Sequence, residues 1–204
     1  MSQAFALAPD LDLIDPLHVV NDTGAALVEK ALDEEFRQQL EVEVDAGPFE
    51  AMPSEEGRAR QEGHVFHLRG HFGAYPLVEQ LGRELVHSVH NQGGAVVGAS
   101  SWEPNDVHVQ RYPTHALGIR PHLDLKRYRI LIAIVTAAGS ARFMLCKDRT
   151  GRLLKQWNVA PGDLVLLRAP GLGGHADGRP LHAVGGPPTG HRISVTWRMN
   201  SLTA

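Results

Sequence analysis

Three residue types at fixed spacings constrain this chain more than anything else in it: His122-Leu123-Asp124, then His182 sixty positions on, then Arg192 ten positions after that. Two imidazoles and one carboxylate can grip a metal from one side and leave its other side open to exogenous ligands. His122 and Asp124 are two apart, so on an extended segment both side chains leave the same side of the backbone. The interval to His182 is long enough for the chain to cross a β-sandwich and return. Arg192 opens the run Arg192-Ile193-Ser194-Val195-Thr196-Trp197-Arg198. A period of two places Arg192, Ser194, Thr196 and Arg198 on one face and Ile193, Val195 and Trp197 on the other. One face suits an anion, and the other suits a core.

A chain of 204 residues, 43% of them hydrophobic, can close one sizeable core, and no linker-like stretch divides it. We therefore expect one domain over residues 1–204. With Cys146 as its only cysteine it has no internal disulfide, and its first residues show no basic region before an apolar stretch. The longest apolar run, Ile130 to Gly139, is too short to span a bilayer. These features predict a soluble, cytoplasmic protein. A net charge of −3 and a pI near 6.4 give no general attraction to phosphate backbones.

Residues 1–22 read as an extended arm. Thr23 can cap a helix to about Leu40, with Leu27, Ala31, Leu32, Phe36 and Leu40 at helical spacing. Asp45 to Gly63 lacks periodicity and reads as a loop able to order over a ligand. A second helix is expected from Pro76 to about His90. From Ala95 onward short strand-like runs take over: 95–99, 107–112, 128–137, 142–146, 153–159, 164–167 and 192–198, with a hairpin signal at Asp148 to Gly151 and a turn at Pro161 to Asp163. Many short strands separated by turns predict a sandwich. The expected division is an N-terminal arm with helices over 1–94 and a β core over 95–200, the helices covering the outer face of one sheet.

Val109 to Asn200 resembles the catalytic core of the Fe(II)/2-oxoglutarate-dependent dioxygenases. His122, Asp124, His182, Arg192 and Ser194 carry the likeness, with Tyr112-Pro113 and Leu117-Gly118-Ile119 leading into the first of them. The resemblance implies a mainly β fold with flanking helices around a double-stranded β-helix, the cupin-like jelly-roll. It also implies Fe(II) held by His122, Asp124 and His182, with O2 and 2-oxoglutarate as cosubstrates. Arg192, aided by Ser194 and Tyr112, would receive the distal carboxylate of 2-oxoglutarate. Halogenases of this superfamily have a small residue at the place of Asp124, so its presence implies hydroxylation, or demethylation or desaturation derived from it. The run from Arg192 to Arg198 further resembles Arg-x-Asn-x-Thr-x-Arg of the AlkB-like demethylases, with Ser194 in place of Asn.

Twelve histidines make chance pairs expected, and His175-Ala176-Asp177 is one; it reads as a loop pair near the pocket mouth. His64 and His67 read as solvated or substrate-facing, His87 and His90 as exposed helix residues. Arg198 reaches the pocket or pairs with an acid at a strand end. The basic residues from Arg120 to Arg129, flanking Asp124, read as a solvated rim or as a face toward an anionic substrate. Three functions compete: an oxygenase of a small molecule, an AlkB-like demethylase or hydroxylase of a nucleobase or protein side chain, and a metal-binding jelly-roll without turnover. The acidic pI favours the small molecule over nucleic acid.

Overall fold

The computed structural model describes residues 5–52, 60–69 and 73–202. In chain order the elements are α1 (Ile14–Thr23), β1 (Ala25–Val28), α2 (Glu34–Asp45), β2 (Glu50–Ala51), β3 (Gln61–Glu62), β4 (His64–Arg69) and α3 (Pro76–Gln92). There follow β5 (Asp106–Tyr112), β6 (Gly118–His122), β7 (Tyr128–Ala138), β8 (Ala141–Cys146), β9 (Leu153–Val159), β10 (Leu164–Arg168), β11 (His182–Val184) and β12 (Arg192–Asn200). The strands form a seven-stranded sheet in the order β1-β10-β7-β12-β5-β4-β2 and a five-stranded sheet in the order β3-β6-β11-β8-β9. The chain passes from β7 in the large sheet to the β8–β9 hairpin in the small one, and then alternates through β10, β11 and β12, with antiparallel pairs throughout. The architecture is the expected double-stranded β-helix.

The two faces of the large sheet have different partners. Ile193, Val195 and Trp197 of β12 pack with Leu131, Ala133 and Val135 of β7 against the helices, which contribute Leu17, Leu40, Leu81 and Leu85. On the other face, Ile132 and Ile134 meet Phe143 and Leu145 of the small sheet. The polar residues of β12 share that inner face with them. Helix α3 begins at Pro76, where a missing N–H costs nothing, and Glu43 of α2 accepts from the free Leu77 and Val78 amides. The expected helix 76–90 is thus observed, slightly longer.

The N-terminal third differs from expectation. Residues 14–22 of the expected arm, together with Thr23, form α1, and the single helix expected over Thr23–Leu40 is divided. Gly24, at φ 93°, stops α1 and donates back to the Val20 carbonyl. Ala25–Val28 then pairs with β10, and Asp33 caps α2 by accepting from Phe36 N at 2.9 Å. The apolar spacing was compatible with a helix, but the open edge of β10 and the stop at Gly24 prevail. Strands β1 to β4 bring residues before 95 into both sheets. The expected strand 95–99 is instead a turn leading into a 3-10 segment at Ala99–Ser101, with Gly98 left-handed at φ 87°. Within the expected loop 45–63, the edge strands β2 and β3 are described and residues 53–59 lie outside the described residues. Among the described residues no helix is long and apolar enough to cross a membrane.

Candidate metal and cosubstrate site

The two short strands β6 and β11 carry the His122 and His182 positions, and pair so that these two residues are direct cross-strand partners. Gly118 permits the close pairing: it sits at φ +73°, and a Cβ there would meet the Val184 carbonyl oxygen at 2.1 Å. Asp124 follows two residues after His122. The ligand atoms of His122, Asp124 and His182 all lie within 4.8 Å of one another. Each imidazole is oriented by its own strand, His122 Nδ1 donating to the Arg120 carbonyl at 3.0 Å and His182 Nδ1 to the Pro180 carbonyl at 3.1 Å. Both Nε2 atoms are therefore left with free lone pairs, as metal binding requires. Phe143 stacks on the His182 ring at 5.4 Å and 5°.

The electrostatics suit a cation. Burial, reinforced by His182, pushes the His122 imidazole well below its ordinary value, so it stays neutral. Burial would push the Asp124 carboxyl up, but His182, Arg198 and His122 outweigh it and hold the group ionised. Arg179 fixes the Asp124 backbone by donating from Nη1 to its carbonyl, and is itself gripped in a fork by Asp177 at 2.8 and 2.9 Å. The second His-x-Asp pair thus contributes its carboxylate as a brace behind the first.

Deeper in the same cavity, of about 490 Å³, lies Arg192. It stands opposite Tyr112 across the β12–β5 pair and is only 2% exposed. Its Nη1 contacts Ser194 Oγ at 3.1 Å and its Nη2 contacts Thr136 Oγ1 at 3.2 Å, while Nε is buried without a partner. Among the described residues no carboxylate compensates it, and burial alone pulls it down to about 10. Burial pushes the Tyr112 phenol the other way, to about 12. A buried guanidinium without an anion is costly, and the fork of N–H groups it presents matches a carboxylate. All six residues singled out by sequence line this one cavity.

Arg198 enters the pocket too, with Nε 3.7 Å from Asp124 Oδ1. His87 and His90 remain on α3, bonded to Asn91 and to the Trp102 carbonyl. A group that sequence reading missed is His67, Asp106 and His108, also mutually within 4.8 Å. Fully buried Asp106 accepts from His108 Nε2 at 3.1 Å and from Asn200 Nδ2 at 2.9 Å, and Arg69 approaches to 3.9 Å. With both carboxylate oxygens engaged and a cation alongside, the trio is a poor metal site. Burial, then Arg198, drives His108 down to about 3. Its partners come from β4, β5 and β12, so only the pairing of these strands reveals it.

No protein-family model matches the chain, and no curated protein matches it at the sequence level. Solved structures do. A Pseudomonas putida prolyl-4-hydroxylase is 17% identical, with a TM-score of 0.63 over 92% of this chain and 98% of that one. An oxidoreductase of the 2OG-Fe(II) oxygenase family from Burkholderia pseudomallei is 11% identical, with a TM-score of 0.68 over 100% and 98%. The fold is that of the 2-oxoglutarate/Fe(II) oxygenases. It is also shared by SnoK, a non-heme alpha ketoglutarate dependent carbocyclase from nogalamycin biosynthesis, at 12% identity and a TM-score of 0.59 over 96% and 86%. At these identities the likeness bears on the fold, so the chemistry is argued from the side chains.

Proposed function

We propose that this protein is an Fe(II)- and 2-oxoglutarate-dependent oxygenase that hydroxylates a small molecule. The observation that carries the reading is the uncompensated Arg192 in the cavity that also gathers the His122, Asp124 and His182 ligand atoms. The three ligands would hold Fe(II) through two neutral imidazoles and one carboxylate, and Arg192 with Ser194 would take the distal carboxylate of 2-oxoglutarate. Bound there, the metal and cosubstrate would supply activation of O2 coupled to oxidative decarboxylation, giving succinate and CO2.

The chain's own contribution is orientation and exclusion of water. Pro180 and Arg120 carbonyls lock the imidazole tautomers; Asp177, through Arg179, holds the Asp124 backbone in place. Tyr112, 2% exposed, walls the Arg192 end. A neutral His122 needs no deprotonation before it binds metal at ordinary pH. A cytoplasmic setting belongs to this reading, supported by the single, buried thiol of Cys146.

Anaerobic reconstitution with Fe(II) and 2-oxoglutarate, then aeration with a library of small molecules, tests it: succinate should form, and faster with the true substrate. Salt-sensitive oligonucleotide binding with loss of a base methyl group would instead favour the AlkB-like alternative, to which the Arg192-x-Ser194-x-Thr196-x-Arg198 run lends support.

A further inference from the structure

The arginines of the cavity can only donate hydrogen bonds, but His108 is fixed in the opposite sense. It lies on the inner face of β5, between Thr196 of β12 and His67 of β4 in the strand register. His67 and His108 both line the cavity, their ring centroids 4.1 Å apart and their planes nearly perpendicular at 80°. Fully buried Asp106, two residues before His108 on the same strand, meets its Nε2 at 3.1 Å through Oδ1, while Oδ2 accepts from Asn200 Nδ2 at 2.9 Å. Burial would push the Asp106 carboxyl up, but His108, Asn200 and Arg198 outweigh it and hold the group ionised. An ionised carboxylate only accepts, so the proton of a neutral His108 sits on Nε2. Arg69 approaches Asp106 to 3.9 Å, and Arg198 is its cross-strand partner. Two guanidinium groups beside one carboxylate leave little to stabilise an imidazolium, and burial adds to the cost. His108 is therefore neutral, and its Nδ1 carries a lone pair not used by any described residue.

That lone pair does not suit the cosubstrate. Under the oxygenase reading, on which this inference rests, 2-oxoglutarate enters as a dianion with acceptor atoms only. It has no proton to offer an imidazole nitrogen, and a substrate carboxylate fails for the same reason. The ring needs a ligand that donates.

We propose that the substrate carries a neutral hydroxyl or amide N–H that donates to His108 Nδ1, which makes His108 a specificity-determining contact. A molecule of similar shape without the donor would leave the acceptor unsatisfied, and a site built in this way rejects it.

Nitrogen-15 NMR of the full chain, labelled at histidine, provides the test, with Zn(II) as a diamagnetic stand-in for iron and 2-oxoglutarate present. At pH 7 the His108 signals, assigned by their loss in His108→Phe, should show the Nε2–H form. Benzyl alcohol or phenylacetamide should shift Nδ1 and bind about tenfold more tightly than benzyl methyl ether, as expected for one hydrogen bond to an otherwise unsatisfied acceptor. A response to one of the two and not the other tells hydroxyl from amide. His108→Phe should abolish the preference over the ether. Asp106→Asn should invert it: Asn200 Oδ1 already accepts from Leu202 N at 3.1 Å, so Asn200 keeps its Nδ2 toward position 106, takes the oxygen of the new amide and turns its N–H groups on His108. His108 would then carry its proton on Nδ1 and favour the ether. Should Asp106→Asn fail to fold, His108→Phe decides.

An Nδ1–H or doubly protonated His108 in the unsubstituted protein would overturn the proposal. Equal binding of alcohol, amide and ether would do the same, binding of none of them included, as would tightest binding of phenylacetate or a preference that survives in His108→Phe. A Nδ1 signal that moves with Zn(II) alone would make it a metal ligand and overturn the proposal too. Saturation transfer from the protein to 2-oxoglutarate is recorded in the same sample, and its absence would remove the oxygenase reading, and this inference with it.

Discussion

Arg192 faces Tyr112 across the β12–β5 pair, its guanidinium enclosed by Ser194 and Thr136 and left without an anion among the described residues. That arrangement predicts opposite effects on stability and on binding. Arg192→Met should raise the thermal midpoint of the metal-free protein, because a buried unpaired charge is replaced by a side chain of similar length. In a chain of this size each kcal/mol gained is roughly 2 to 4 °C. The same variant should lose about 2 to 5 kcal/mol of 2-oxoglutarate affinity, at least roughly thirtyfold in the dissociation constant. Calorimetric titration and thermal unfolding check both; an unchanged constant would place the cosubstrate elsewhere.

Asp124→Ala should abolish tight Fe(II) binding and succinate formation, since it leaves two imidazoles to hold the ion. Equilibrium dialysis with Fe(II) under argon measures the first and succinate assay the second. Full activity without added carboxylate would rule out this ligand set.

Asp177→Ala tests the brace behind the metal ligands. Freed from Asp177, Arg179 no longer holds the Asp124 carbonyl in a fixed place, and the metal constant should weaken about 10- to 100-fold. Competition with a chromophoric chelator reads this directly. The overall fold should persist, because Asp177 is in a loop and makes its contacts with Arg179 and Lys126.

The metal-free protein should become less stable as pH falls from about 6.5. His108 titrates near 3 in the folded chain against an ordinary 6.5, so between these values the unfolded chain binds the proton and the folded one resists it. Its contribution is whole above 6.5 and shrinks by up to about 1.4 kcal/mol for each pH unit below. His122 acts with the same sign. Urea unfolding at pH 7, 6 and 5 should show the decline, and His108→Gln should shrink it by about 2 kcal/mol at pH 5. An unaltered slope in that variant would mean that His108 is protonated in the fold.

The sequence alone determined what depends on residue type and short spacing. The period-two alternation from Arg192 to Arg198 needs a strand between an apolar layer and a polar interior, and β12 is that strand. The His122-x-Asp124 pair, His182 and Arg192 belong together because so few arrangements bring two imidazoles, a carboxylate and a guanidinium to one cavity. Long, strongly patterned elements such as α3 and β7 were legible for the same reason. Tertiary structure decided the rest. Whether Ala25–Val28 extends a helix or edges a sheet depends on the free edge of β10, which lies nearly 140 residues downstream. Strands β6 and β11 carry no strand pattern of their own, and exist because they pair with each other and with β3 and β8 on their outer edges. The His67, Asp106 and His108 group and the Asp177 brace join residues from different strands and loops. Such contacts are set by register and crossing, which no local pattern encodes.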